Sequence, residues 1–187
     1  MRRHIRLLLL LTLVLGPSAL LAQKNELAIT AGGYFPAGAN TNLGMSGVLE
    51  GSFAHRIFSV PTVSIYAEIP VARTFDTGLK SIGGNYTATF VTPSLKVKLA
   101  PGFLASPYFV AGVGIAHFGA KLDTGATDSH TSAAYDIGGG LDVKVFPFVS
   151  LRGEIRDFNS GGVGFIVPGV SGRQNNVLAT GGIVLRF

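Results

Sequence analysis

Eight stretches of this chain alternate residue by residue between an apolar face and a polar one. Period-2 alternation marks strands, whose successive side chains point to opposite sides of a sheet. The stretches lie near 26–35, 44–54, 62–73, 85–99, 107–118, 131–145, 148–158 and 175–187, bounded by clusters of Gly, Pro, Asn, Asp and Ser. No segment sustains a helical period, and 26 glycines would penalise one. An all-β fold is therefore expected.

One face of these strands runs through Leu27, Ile29 and Phe35; Leu49 and Phe53; Val63, Ile65, Ala67, Ile69 and Val71; Val91, Leu95, Val97 and Leu99; and Phe109, Ala111, Val113 and Ile115. It continues through Tyr135, Ile137, Leu141, Val143 and Val145, then Val149, Leu151 and Ile155, and ends in Val177, Ala179, Gly181, Ile183, Leu185 and Phe187. This face is read as charge-free. The opposite face holds Glu50, Glu68, Lys96, Lys98, Asp136, Asp142, Lys144, Arg152, Glu154, Arg156 and Arg186.

The ends and the composition narrow the setting. Met1, Arg2, Arg3, His4 and Arg6 lead into a mostly apolar run from Leu7 to Ala22, broken by Gly16-Pro17 and closing on small residues. This has the three parts of a secretory signal peptide and is too short and interrupted for an anchor of about 20 residues. Two segments are expected: a leader over 1–22 and one domain over 23–187. With Arg2, Arg3 and Arg6 removed, the remaining Lys and Arg nearly balance the 10 Asp and Glu, so no basic stripe for nucleic acid is left. The absence of Cys rules out a disulfide framework and a lipid-anchored N-terminus. Charged residues are 13% of the chain, about half the roughly 25% of soluble domains. A charge-poor exported chain without helical spans points to a closed barrel, because only helices and closed sheets satisfy every backbone group in lipid.

Alternation alone leaves open which face is inside, since a soluble ligand-binding barrel would show the same period. Three observations turn the apolar face outward. Eleven charges over eight strands are a thin coat for a water-facing wall but ample for a small lumen. Their signs nearly cancel, as required of ions removed from bulk water. Aromatic residues, among them Tyr34, Phe35, Phe58, Phe75, Tyr86, Phe103, Tyr108, Phe118, Phe146, Phe148, Phe158 and Phe187, cluster near strand ends, where interfacial girdles sit. The even strand count puts both termini on the periplasmic side, with short turns at 55–61, 100–106 and 146–147. Outer loops are expected at 36–43, 74–84, 119–130 and 159–174. Pro93 falls inside the fourth strand and predicts a bulge or register defect there. Inward Gly112, Gly114, Gly138 and Gly140 would make room for bulky neighbours such as Tyr66, Phe90 or an Arg.

The runs Pro107-Tyr108-Phe109-Val110-Ala111-Gly112-Val113-Gly114, Tyr135-Asp136-Ile137-Gly138-Gly139-Gly140-Leu141-Asp142 and Val149-Ser150-Leu151-Arg152-Gly153-Glu154-Ile155-Arg156-Asp157-Phe158, with the closing Val184-Leu185-Arg186-Phe187, resemble the small outer-membrane β-barrel family of OmpA and OmpX type. The similarity extends over essentially the whole mature chain. It implies an eight-stranded antiparallel up-and-down transmembrane barrel in a bacterial outer membrane. It further implies that Ile183, Leu185 and Phe187 are the apolar positions of the signal read by the barrel assembly machinery. No peptidoglycan-binding domain follows Phe187, so tethering to the wall is not implied.

Motifs that could carry chemistry have plainer readings. Asp76-Thr77-Gly78 and Asp123-Thr124-Gly125-Ala126 spell the aspartic-protease triplet, but each falls in a loop, where Asp, Thr and Gly are turn formers. His55 sits in a turn, His117 ends the fifth strand, and His130 lies beside Ser129 and Asp128 in a loop. A catalytic set is assembled in space rather than by sequence neighbours, so that trio is read as a polar loop. His117 at a strand end keeps a lipid-modifying enzyme among the alternatives. Metal-ligand spacing is absent, and the Asn85-Tyr86-Thr87 sequon reads as a strand start. Neither metal nor cofactor is expected.

The interior charges allow a polar conduit or a side-chain plug, and eight strands leave room only for side chains. The segment Gly161–Val170 is apolar for a loop in water and is read as a cover or a partner patch. Arg73, Lys80, Lys121 and Arg173 stand near the outer rim, where they would meet lipopolysaccharide phosphates. The expectation is thus a monomeric, non-enzymatic outer-membrane barrel serving envelope structure or surface interaction. A narrow pore, a lipid-modifying enzyme and a soluble exported barrel remain open.

Overall fold

The computed structural model describes residues 23–37, 44–78, 83–161 and 172–187. Within them the elements are all strands: β1 (Asn25–Ala37), β2 (Ser46–Ser59), β3 (Val63–Thr74), β4 (Thr77–Gly78), β5 (Gly84–Val91), β6 (Ser94–Leu99), β7 (Ala105–Leu122), β8 (Thr127–Phe146), β9 (Val149–Gly161) and β10 (Arg173–Arg186). Each pairs antiparallel with its neighbours in one sheet, and β1 meets β10 to close it. Strands β5 and β6 are the two halves of one stave, and β4 is a two-residue extension beside β5. The result is an eight-stave up-and-down barrel. The closing seam runs from Glu26↔Arg186 to Ala37↔Asn175. Phe187 extends it, donating its N–H to the Asn25 carbonyl (3.1 Å) and accepting from the Asn25 N–H (2.8 Å).

The alternation fixes which way each side chain points. The expected apolar face is outside: Val113, Ile137 and Ile155 are 71%, 64% and 63% exposed. On β7 this wall runs from Pro107 to Ile115, about 27 Å of strand, which a tilt of about 40° reduces to about 21 Å of height. One correction applies. The outer face is not wholly free of charge, because Asp157 shares the parity of Leu151 and Ile155. It lies beyond Ile155, half-buried, and accepts from the Asn176 N–H at 3.1 Å.

Three other expectations change. The loop expected at 119–130 is mostly strand: β7 and β8 stay paired as far as Lys121↔Thr127. The tip is a four-residue turn in which Gly125 donates to Leu122 (2.9 Å) with φ +86°, a conformation glycine adopts without strain. Two of the terminal-end turns are shorter than expected, at 60–62 and 100–104, and the third keeps its two residues but shifts by one, to 147–148. Pro93 produces neither bulge nor shift. Pairing lapses at Thr92–Pro93, yet Val71↔Val91 above and Glu68↔Ser94 below keep one register. That register sets Pro93 beside Ile69 and Thr92 beside Pro70, so both strands lack an amide proton at the same place. True irregularities occur at Arg56/Phe58 and Lys144/Phe146. The apolar segment 161–170 lies, beyond Gly161, outside the described residues, as do the leader 1–22 and Lys80.

Candidate functional site

The lumen has two storeys. The storey nearer the termini is ionic, and all eleven expected residues point into it or line its mouth. Sequence reasoning missed a twelfth, Glu26, which is 2% exposed. Its parity with Thr30 and Tyr34 marks it as inward, but as the second residue of β1 it stands at the edge of the alternating stretch, where parity is least legible. With Glu26 the interior holds six acids and six bases, so the charges balance. This is the condition for burying them, since a buried ion is costly unless it is paired.

All the pairs but Arg156–Glu154, which lies within β9, are made between strands. Arg156 of β9 divides its guanidinium among three carboxylates: Nε donates to Glu154 (2.9 Å), Nη1 to Asp136 (3.3 Å) and Nη2 to Glu68 (2.6 Å). Arg152 donates from Nε to Asp142 (2.8 Å) and from Nη2 to Asp142 (3.1 Å) and Glu26 (3.4 Å). Lys98 bridges Glu26 and Asp142, and Lys96 meets Glu68 and Glu26. Arg186 reaches Glu26 (3.3 Å) and Asp142 (3.4 Å) across the seam. Tyr108 donates its hydroxyl to Glu154 and offers its ring to Arg152 (4.8 Å) and Lys96 (5.1 Å). Among the described residues, buried oxygens without a hydrogen-bond partner include Oε2 of Glu50 and the hydroxyls of Thr30 and Ser150.

The storey toward the loops is apolar and was not foreseen. Tyr34, Val48, Ala72, Tyr86, Phe90, Phe118, Phe158 and Leu178 pack there, with Phe90 stacked on Phe158 at 4.7 Å and edge-on to Phe118 at 6.0 Å. Tyr34 donates to Asn176 (2.7 Å), and Tyr86 to Tyr34 (3.3 Å). This corrects the girdle assignment. Tyr34, Tyr86, Tyr108, Phe118 and Phe158 are inside, while Phe35, Phe58, Phe75, Phe103, Phe146, Phe148 and Phe187 face out. Small residues make the room as expected, for an Arg as foreseen but for Tyr108 in place of Tyr66 or Phe90. A methyl on Gly140 would meet the Tyr108 hydroxyl at 2.5 Å, and one on Gly138 the Arg156 Cα at 2.9 Å; Gly112 lies against Ser94 and Asp136, and Gly114 against Thr92.

Above the outward apolar band lies a polar row. Arg73, Thr89, His117 and Thr131 stand side by side on β3, β5, β7 and β8. His117 Nδ1 pairs with Thr131 Oγ1 at 2.8 Å, so its imidazole points out of the barrel rather than into a lumenal site. One pair further from the band, Gly119 and Ser129 are opposite each other, and then Lys121 and Thr127. Arg173 lies over the Tyr135 ring at 4.5 Å and donates to the Asn159 carbonyl at 2.9 Å.

The other motifs take structural roles. Thr77 of the first Asp-Thr-Gly donates to the Phe75 carbonyl at 3.0 Å, and the second triplet makes the hairpin tip. His55 pairs with Asn25 at 2.8 Å. Among the described residues there is no cluster of three potential metal ligands.

No family model and no curated protein matches the chain. Solved structures do. The Neisserial surface protein A is 13% identical with a TM-score of 0.62, covering 87% of this chain and 97% of its own. Ail, the attachment invasion locus protein of Yersinia pestis, is 12% identical with a TM-score of 0.55, covering 88% and 99%. The outer membrane protein OprG of Pseudomonas aeruginosa is 11% identical with a TM-score of 0.50, covering 88% and 97%. At such identities the likeness is one of architecture, and the chain has the fold of the small eight-stranded outer-membrane barrels.

Proposed function

We propose that this chain spans a bacterial outer membrane as a non-enzymatic barrel with both termini in the periplasm, and that it serves envelope structure or surface contact through its outer hairpins. One observation carries the reading: a closed wall turns apolar side chains outward around an interior where six acids and six bases balance. A charge in mid-bilayer on that wall would cost about 2 to 4 kcal/mol, and along its apolar run the described wall shows no Asp, Glu, Lys or Arg: Asp157, Arg73, Lys121 and Arg173 all stand past its end. A soluble barrel has the opposite arrangement.

The exposed Arg73, Lys121 and Arg173 stand beyond the apolar band, at the height where lipopolysaccharide phosphates would accept their hydrogen bonds. The assembly machinery would read Ile183, Leu185 and Phe187, which face outward on the closing strand.

The chain has no native Cys, so single introduced thiols report cleanly. A thiol at Gly125 should react with an impermeant maleimide on intact cells, whereas one at Gly102 should react only after lysis. Recovery of the folded protein in the soluble periplasm, without detergent, defeats the reading.

A further inference from the structure

The barrel mouth at the end carrying the termini opens into a cavity of about 550 Å³. Arg56 of β2, Lys98 of β6, Lys144 of β8 and Arg186 of β10 line it, beside Tyr66, and among the described residues that line it none is Asp or Glu. The carboxylates beneath are already shared. Glu26 and Asp142 both serve Lys98, Arg152 and Arg186. Two acids thus neutralise three bases before Lys144 is counted. Among the described residues Lys144 has no carboxylate within ion-pair distance, and its charged neighbour is Arg186. The deeper part of the ionic storey is skewed the other way, with Glu50, Glu68, Asp136 and Glu154 around Arg156 and Lys96. The six acids and six bases are neutral as a whole, yet their positive surplus is collected at the mouth, and Arg56 adds to it.

A concave wall of one sign concentrates its field in the space it encloses. Guanidinium forks fit tetrahedral oxyanions with two parallel hydrogen bonds, and a lysine adds a compact charge. We propose that this mouth is a binding site for a phosphate-class oxyanion, either a free phosphate or diphosphate or the phosphate of a lipid headgroup. Lys144 is its uncompensated charge, and Arg186 and Arg56 flank the ligand. The cavity lies within the range of about 300 to 1,000 Å³ of small-ligand sites. The proposal concerns the end opposite the outer hairpins and does not rest on their role.

The test uses the folded chain in maltoside micelles, which contain no phosphate. Pyrophosphate is titrated by calorimetry at constant ionic strength, first alone and then in mixed micelles containing phosphatidylglycerol. Saturable binding is expected, weakened about tenfold by Lys144→Gln and retained by Lys144→Arg, with both variants checked for the heat-resistant compact form on gels. Competition by phosphatidylglycerol would identify the lipid headgroup as a source, and its absence a free phosphate. Saturation by neither probe, or equal affinity in Lys144→Gln, overturns the proposal.

Discussion

Arg156 satisfies three acids from three different strands, each through its own nitrogen, a division that a lysine cannot reproduce. Arg156→Met would leave Glu68, Asp136 and Glu154 buried around an apolar side chain. The expected loss is about 3 to 5 kcal/mol, read from urea unfolding in lipid vesicles; a loss below about 1 kcal/mol would mean that water enters the lumen and screens these charges. Glycine tests the same packing from the other side. A methyl at Gly140 collides with the Tyr108 ring, whereas one at Gly153 meets nothing within 4 Å. Gly140→Ala should therefore destabilise by about 1 to 3 kcal/mol, and Gly153→Ala should stay within about 0.5 kcal/mol of the parent.

Among the elements, the stave made of β5 and β6 is the weak one. The register brings Pro70 and Pro93 to adjacent strands at the same height, and only the Pro93 carbonyl still bonds across, to the Val113 N–H at 3.2 Å. In an antiparallel pair of this kind the residue facing Val113 would return an N–H to it, and proline has none. Hydrogen exchange should be faster at Thr92, which stands beside Pro70, than at Phe90 or Lys96. Pro93→Val should slow it there by about fivefold or more, in line with one hydrogen bond of about 1 kcal/mol. Equal protection along the stave would show that the lapse is immaterial.

The same stave shows what was legible in the chain. Pro93 announced itself, because a proline inside a strand pattern is visible without any partner. Pro70 did not, because its effect depends on cross-strand register, which no single strand encodes. Parity sorted the eleven expected interior charges correctly, since in mid-wall a charge has one tolerable side, whereas Asp157 and Glu26, near strand ends, escaped it. Aromatics were harder. Rings suit both a girdle and a lumen, so position near a strand end sent Tyr34, Tyr86, Tyr108, Phe118 and Phe158 to the wrong face, although parity assigned them correctly. The extended β7–β8 hairpin was hidden for a similar reason: above the apolar band both faces meet water, and polar alternation in His117–Leu122 and Thr127–His130 reads as loop.

For the whole molecule, the two storeys decide transport. Ion pairs fill one half of the bore and an aromatic stack fills the other, so planar bilayers containing the protein should stay silent at 100 mV. Substituting Ala for Phe90, Phe118 and Phe158 together removes the apolar half only and should produce at most small, brief steps, because the charged half remains. Steady conductance of the parent protein would show that the bore is open.

Glu26 comes from the first stave, Arg186 from the last, and they meet only when the cylinder shuts. Until then the first stave carries an acid short of one of its four bases, the others being Lys96, Lys98 and Arg152. A sheet still open along that seam is thereby penalised at its leading edge, which ties closure of the ring to the pairing of its charges.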